Sequence, residues 1–296
     1  MNGVRAILRD ARYALPQKIE LLLPGPSIRT TVRRCRQFRR IGLKTTIGYF
    51  QSSRSDPDEI VAANLAVLDE WNAGSDGNYL SIKAPPLQFD PHRLQTIAAA
   101  SARVGLPLLF DAHAPKDADQ TLAAMEALLT QYPGSGFALP ARWQRSLSDA
   151  IRFRNSTARI RIVKGEWADP GFAGSIEESY LNLVALLAGR KASVAVATHD
   201  PALAQRALKL LLDAGTPCEL EQLRSLPRRR TTELAKSLGV TARIYVPFGP
   251  GWWSYAIDKA LSRPYLLSWM ARDWLGTIPA APAPGNGSRL TSGSQA

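Results

Sequence analysis

The residues best equipped for chemistry sit at the ends of short apolar runs. Arg159 to Pro170 reads Arg-Ile-Arg-Ile-Val-Lys-Gly-Glu-Trp-Ala-Asp-Pro, a β-branched strand with charges at Arg159, Arg161 and Lys164. A cation in or beside a core is costly unless it meets a carboxylate, phosphate or other acceptor. Arg161 and Lys164, near the carboxyl end of this strand, are therefore expected to hold an anionic ligand. Gly165 can break the strand there, so that both side chains turn toward one crevice.

Other stretches carry other chemistries. Asp111-Ala112-His113, with His199, Glu219 and Glu221, supplies donor types that could ligate a metal in a barrel hydrolase, although no His-x-His pair accompanies them. No Gly-x-Ser-x-Gly elbow supports a serine hydrolase. Gly249-Pro250-Gly251-Trp252-Trp253-Ser254 lacks the third glycine of a dinucleotide loop, and Pro250 removes an amide that would cradle phosphate. It reads as a turn, in a place that suits phosphate binding at a helix N-terminus.

The elements that must position these residues alternate with a regular beat. Strands are expected at 44–50, 79–83, 107–111, 136–139, 159–164, 193–198, 218–220 and 242–246. Helices are expected at 27–41, 56–73, 91–104, 118–131, 146–154, 175–188, 201–214, 230–238 and 252–261, several opened by Asp-Pro pairs and closed by glycines. This pattern predicts an α/β fold, a (β/α)8 TIM-type barrel with an N-terminal helical lead-in. The lead-in covers 1–43, the barrel 44–275, and a Pro, Ala, Gly and Ser-rich tail over 276–296 is expected to be disordered. In such a barrel the strand ends collect Lys83, Asp111 with His113, Arg142, Arg145, Arg161, Lys164, Thr198-His199-Asp200, Glu219 with Glu221, and Tyr245 at one mouth.

Composition narrows the class. The 296 residues are 45% hydrophobic, which suits one large core. No apolar run is long enough for a bilayer and no signal peptide is evident, so a cytoplasmic protein with reduced Cys35 and Cys218 is expected. The net charge of +12 concentrates at Arg29, Arg33, Arg34, Arg36, Arg39 and Arg40. With no interleaved aromatic apart from Phe38 and no nucleic-acid-binding motif, this stripe predicts a solvated face or weak association with the inner membrane surface, and no nucleic acid.

Taken together, Tyr79-Leu-Ser-Ile-Lys83, Phe110-Asp111-Ala112, Arg161-Ile-Val-Lys-Gly165 with Trp167, Ala197-Thr-His-Asp200 and Arg243-Ile-Tyr-Val-Pro-Phe-Gly249 resemble successive strands of proline dehydrogenases, from about Arg29 to Pro264. The resemblance implies a distorted (β/α)8 barrel that binds FAD, oxidises L-proline or a related cyclic imino acid to the pyrroline, and passes electrons to a quinone or other acceptor. It implies FAD contacts from Ala112, Arg161, Lys164, Gly165, Glu166, Trp167, Thr198 and His199. It also implies catalytic roles for Asp111 and Arg161, and a substrate site of Lys83, Leu223, Tyr245, Tyr255 and Lys259.

Departures from the family pattern accompany these matches. Where the family's last helix carries an arginine pair and then a glutamate, this chain has Asp258, Lys259 and Ser262, which weakens a carboxylate clamp. Arg263, one turn on, could restore part of it. A flavin-contacting glutamine is replaced by Pro140, and the Gly-Glu of the first strand by Gln51-Ser52. The expectation is a flavin-dependent dehydrogenase of proline or a related cyclic amine. The alternatives are a homologue with a changed substrate, a metal-assisted barrel hydrolase and a noncatalytic barrel.

Overall fold

The computed structural model describes residues 25–52, 54–71, 77–253 and 255–256. Lys259, Asp258, Ser262 and Arg263 lie outside the described residues, as do the lead-in before Gly25, most of the expected helix at 252–261 and the tail at 276–296.

Helix α1 (Ile28–Arg40) leads into strand β1 (Lys44–Tyr49), and seven helix-strand pairs follow. They are α2 (Pro57–Glu70), β2 (Tyr79–Ile82), α3 (Pro91–Arg103), β3 (Leu108–Phe110), α4 (Ala118–Leu129), β4 (Gly136–Pro140), α5 (Ser146–Phe153), β5 (Arg159–Val163), α6 (Ile176–Leu187), β6 (Val194–Ala197), α7 (Pro201–Asp213), β7 (Cys218–Leu223), α8 (Arg229–Ser237) and β8 (Thr241–Phe248). The strands pair in chain order, all parallel, and β1 closes on β8 with Thr46 opposite Tyr245. The expected (β/α)8 barrel is thus present.

Local chemistry fixes where each helix leaves the mouth. Asp56 and Glu59 form a reciprocal capping box ahead of Pro57, Asp90 accepts from the Arg93 amide, and Asp200 accepts from the Ala202 and Leu203 amides. An acidic cap followed by proline at the first helical position satisfies free amides and presets the backbone. The outward strand residues Ile47, Leu80, Phe110, Ile160, Ile162, Val194, Val196, Leu220 and Ile244 are buried. Helix α1 packs its Thr31, Val32, Cys35 and Phe38 face on the barrel wall, touching β1, β8 and α2, and so occupies the outer ring between the first and last strands.

The lumen overturns one expectation. Glu219 does not stand at the mouth, although Glu221 lines the cleft there, and β7 is not a short strand ending at Leu220 but runs on to Leu223. Its alternation points both glutamates inward. Arg243 binds Glu219 through Nε and Nη2 at 2.6 and 3.0 Å, and Glu219 also pairs with Arg159. Arg159 reaches Glu221 at 3.2 Å, Glu221 binds Arg161 at 3.0 Å, and Arg161 pairs with Asp111. Lys83 stands 3.6 Å from Asp111. These partners lie on non-adjacent strands as well as neighbours, which is possible only across the lumen. Tyr79 lies between Arg159 and Arg243, whose guanidinium carbons are 4.4 and 4.5 Å from its ring centre.

This ladder makes stability acid-sensitive. Burial would raise the Glu219 carboxyl, but Arg159 and then Arg243 outweigh it and hold it at about 2, against an ordinary 4.5. A depressed carboxylate stabilises the fold above its unfolded value, and that contribution is lost as pH falls from 4.5 through about 2. Melting temperatures measured from pH 6 to pH 2 are expected to drop steeply over that window, and less steeply in Glu219→Gln. Parallel curves for the two proteins would show that Glu219 does not set the acid limit.

Candidate active site

A cleft of about 1640 Å³ opens at the carboxyl ends of the strands. Its floor centres on Asp111, just past β3. Ser81 Oγ donates to Asp111 Oδ1 at 2.7 Å, Tyr245 Oη to Oδ2 at 2.9 Å, and Arg161 Nη2 also meets Oδ1. Burial raises the Asp111 carboxyl, but Arg161 and then Lys83 more than compensate, so it stays ionised. Tyr245, buried and beside that charge, is pushed well above its ordinary value and remains a neutral donor.

Lys83 is held by a bond from Nζ to the Tyr49 carbonyl at 2.9 Å and lies 4.2 Å from the centre of the Phe50 ring. Burial lowers its pKa and Asp111 offsets only part of that. Tyr245 has room because its neighbour on β1 is Gly48, where a Cβ would come within 1.8 Å of the hydroxyl. Gly48→Ala would therefore displace the ring.

One wall is the segment after β5. Arg142 donates to the Glu166 carbonyl at 3.0 Å and Trp143 Nε1 to the Trp167 carbonyl at 2.9 Å, while the Trp167 and His113 rings face each other at 4.7 Å. Gly165 turns the chain with φ +89°, and a Cβ there would approach Arg142 and Pro140 to 2.8 Å. Gly165→Ala is expected to cost roughly 1–3 kcal/mol and to loosen the wall. A melting temperature equal to that of the parent would remove the strain argument.

The structure brings Lys83, Asp111, Ala112, Arg161, Lys164, Gly165, Glu166, Trp167, Thr198, His199, Leu223, Tyr245 and Tyr255 to this one cleft. Tyr255 stacks on Phe50 and Trp252, with ring centres 5.1 and 5.6 Å away. His199 accepts the Leu223 amide on Nε2 at 3.0 Å, so its proton is on Nδ1, 2.7 Å from the Pro227 carbonyl. It ties the end of β6 to the segment after β7.

Two expectations are corrected. Asp111, Glu219 and Glu221 are each paired with arginine and His113 bonds Asp117 at 3.2 Å, so the donor set of a metal hydrolase is engaged elsewhere. The glycine turn after β8 is not a phosphate cradle. Its Gly249 and Gly251 amides bond the Pro26 and Phe50 carbonyls at 3.2 and 2.9 Å. Sequence reasoning missed Ser81, Phe50, Trp143 and Arg243, and singled out Arg159 without its partners Glu219 and Glu221. The i, i+2 spacing of Arg159 with Arg161 and of Glu219 with Glu221 was the signal for the ladder.

No protein-family model matches the chain. It is 23% identical over 259 residues, 81% of its length and 85% of the relative's, to proline dehydrogenase 1 of Bacillus subtilis (strain 168). It is also 23% identical over 278 residues, 86% of its length and 89% of the relative's, to proline dehydrogenase of Deinococcus radiodurans. Among solved structures it is similar to proline utilization A (PutA) from Bdellovibrio bacteriovorus inactivated by N-propargylglycine. There the TM-score is 0.68 at 14% identity, covering 90% of this chain and 36% of that one. PutA from Corynebacterium freiburgense gives 0.67 at 17% identity, covering 99% and 35%. The chain spans about a third of the length of those PutA proteins, and the likeness to them is one of fold. In sequence, over most of its length, this chain is similar to proline dehydrogenases.

Proposed function

We propose that the chain is a flavin-dependent oxidoreductase of the proline dehydrogenase type, which oxidises L-proline or a related cyclic secondary amine to the pyrroline at the barrel mouth. The observation that carries this reading is the Asp111 carboxylate, fixed between Arg161, Lys83, Ser81 and Tyr245 at the strand ends of a barrel related to those enzymes.

The residues present fit FAD. Arg161 is buried, its Nε meets no acceptor among the described residues, and the ladder sets four cations, Arg243, Arg159, Arg161 and Lys83, against three carboxylates. The cleft is therefore suited to a group that takes up negative charge. Arg161 and Lys164 would hold it, with Ala112, Gly165, Glu166, Trp167, Thr198 and His199 lining its place. His199 meets it by the ring, since both nitrogens serve the backbone. Pro140 offers no amide or side-chain donor there. When bound, the flavin supplies the acceptor for hydride from the carbon beside the amine.

The chain's own residues prepare the amine. Hydride transfer needs a neutral substrate nitrogen, and the Lys83 ammonium beside Asp111 disfavours a second positive charge on it. Asp111, kept ionised, orients the N–H, while Leu223, Tyr255 and the Tyr245 ring supply apolar walls for a saturated ring. A quinone or another acceptor would then receive the electrons. The six-arginine stripe on α1 suits weak contact with an anionic membrane surface. Among the described residues no helix is long and apolar enough to cross a membrane.

Anaerobic addition of L-proline to the purified protein is expected to bleach a visible flavin spectrum. A flavin spectrum that persists would redirect the search to other cyclic amines, and a colourless protein that takes up no added FAD would end the flavin reading.

A further inference from the structure

The cleft does not stop at the mouth. Past Leu223 it runs into a groove between α1 and residues 224–228, lined by Thr30, Arg34, Gln37, Phe38, Arg224 and Arg228. Arg34 and Phe38 stand one helical turn apart on α1. The Arg228 guanidinium lies 5.4 Å from the centre of the Phe38 ring and donates to the Arg224 carbonyl at 3.0 Å. Three guanidinium groups are thus drawn to one place.

Nothing anionic lines this end among the described residues, since the carboxylates of the cleft, Asp111, Glu166 and Glu221, belong to the mouth. Arg34 gives Nη1 to the neutral Gln37 Oε1 at 3.1 Å. Arg224 is half-buried, its backbone amide bonds the Tyr245 carbonyl at 3.1 Å, and its guanidinium has no hydrogen-bond acceptor or carboxylate among the described residues. Burial, and then the charges of Arg34 and Arg228, lower its pKa. Like charges gathered in a partly desolvated groove are unfavourable until an anion joins them.

We propose that Arg34 and Arg224 form a second anion-binding subsite, for a phosphoryl group, where the cleft leaves the barrel mouth. Two guanidinium forks offer more N–H donors than one carboxylate can accept, whereas a phosphoryl group brings three oxygens and close to two charges. The groove and the mouth form one continuous cleft. The phosphoryl group is a free anion or the far end of a ligand that reaches the mouth over Leu223. The subsite is separate from the cofactor positions at the ends of β5 and β6.

The test is calorimetric titration of the flavin-loaded full chain with inorganic pyrophosphate and with 4′-phosphopantetheine, repeated for Arg224→Gln and Arg34→Gln. Arg34 is exposed on its helix, so the second variant keeps the fold. Both probes are expected to bind, about tenfold more weakly in each variant and more weakly at high salt, with flavin content unchanged. A shift of the flavin absorbance with phosphopantetheine alone would assign the extended ligand, and binding of both without a shift the free anion. Equal affinity in all three proteins, absent binding, or loss of flavin from both variants would overturn the proposal, the last by giving these arginines to the cofactor's own phosphates. A colourless protein that binds pyrophosphate through Arg34 and Arg224 would sink the flavin reading and leave the subsite standing.

Discussion

Arg243→Met is expected to destabilise the barrel by about 3–5 kcal/mol, because it breaks a buried ion-pair network, leaving Glu219 to Arg159 alone and two buried carbonyls without their donor. Arg243 is 1% exposed. It binds both oxygens of Glu219, and it donates to the Thr45 carbonyl at 2.8 Å and the Gly77 carbonyl at 2.6 Å. A single side chain therefore joins β8 to β7, β1 and the approach to β2. Arg243→Lys is expected to recover little, since one ammonium cannot reproduce the fork. Changing Glu219 to Leu as well is expected to recover part of the loss, as a well-packed apolar pair replaces a carboxylate that has lost one of its two arginines, while Arg159 keeps Glu221. Urea unfolding of the two single variants and the double variant measures this. A loss under about 1 kcal/mol for Arg243→Met would mean that the ladder contributes little to stability.

The second large effect is on turnover. Asp111→Asn is expected to lower kcat/KM with L-proline by about 10²–10⁴-fold, the range for losing a positioned polar group from a reaction centre. The amide removes the charge that Arg161, Lys83, Tyr245 and Ser81 all converge on. Its NH₂ would also confront one of those donors. Flavin content should be largely kept, because Lys164, Thr198 and His199 are untouched, so the loss would show in turnover rather than in colour. Unchanged kcat/KM would remove Asp111 from the reaction and move attention to Lys83.

The outer layers of this protein were legible because their signals are local. Asp56-Pro57, Asp90-Pro91 and Asp200-Pro201 announce helix starts through cap chemistry that needs no tertiary context. The apolar strand residues that face the helices follow a period of two. The lumen obeys the same period with the pattern inverted. In Cys-Glu-Leu-Glu-Gln-Leu the charged positions point inward and Leu220 points out, so a reading that assigns charges to the rim shortens β7 and misplaces Glu219. Whether Glu219 belongs inside depends on Arg159 and Arg243, which arrive from 60 residues before and 24 after. Strand spacing shows that such residues share a face. Closure of the barrel decides which face it is.

The candidate site was legible to a similar extent. Lys83 and Asp111 follow β2 and β3, Arg161 and Tyr245 point inward from within β5 and β8, and the barrel brings them together. Gly48 and Ser81 carry no chemistry of their own in a sequence, yet one makes room for the Tyr245 ring and the other orients Asp111. Their roles come from what stands opposite them.

The position of α1 between β1 and β8 has a consequence for how the chain is made. A ribosome releases α1 and β1 about 200 residues before β8, as the 198-residue separation of Thr45 from its partner Arg243 measures. At roughly 5–20 residues per second, the helix face bearing Val32, Cys35 and Phe38 waits roughly 10–40 s for the strand that covers it. The seam that completes the barrel is therefore the last of it to form, and the apolar face of α1 is the surface that stays exposed to aggregation longest.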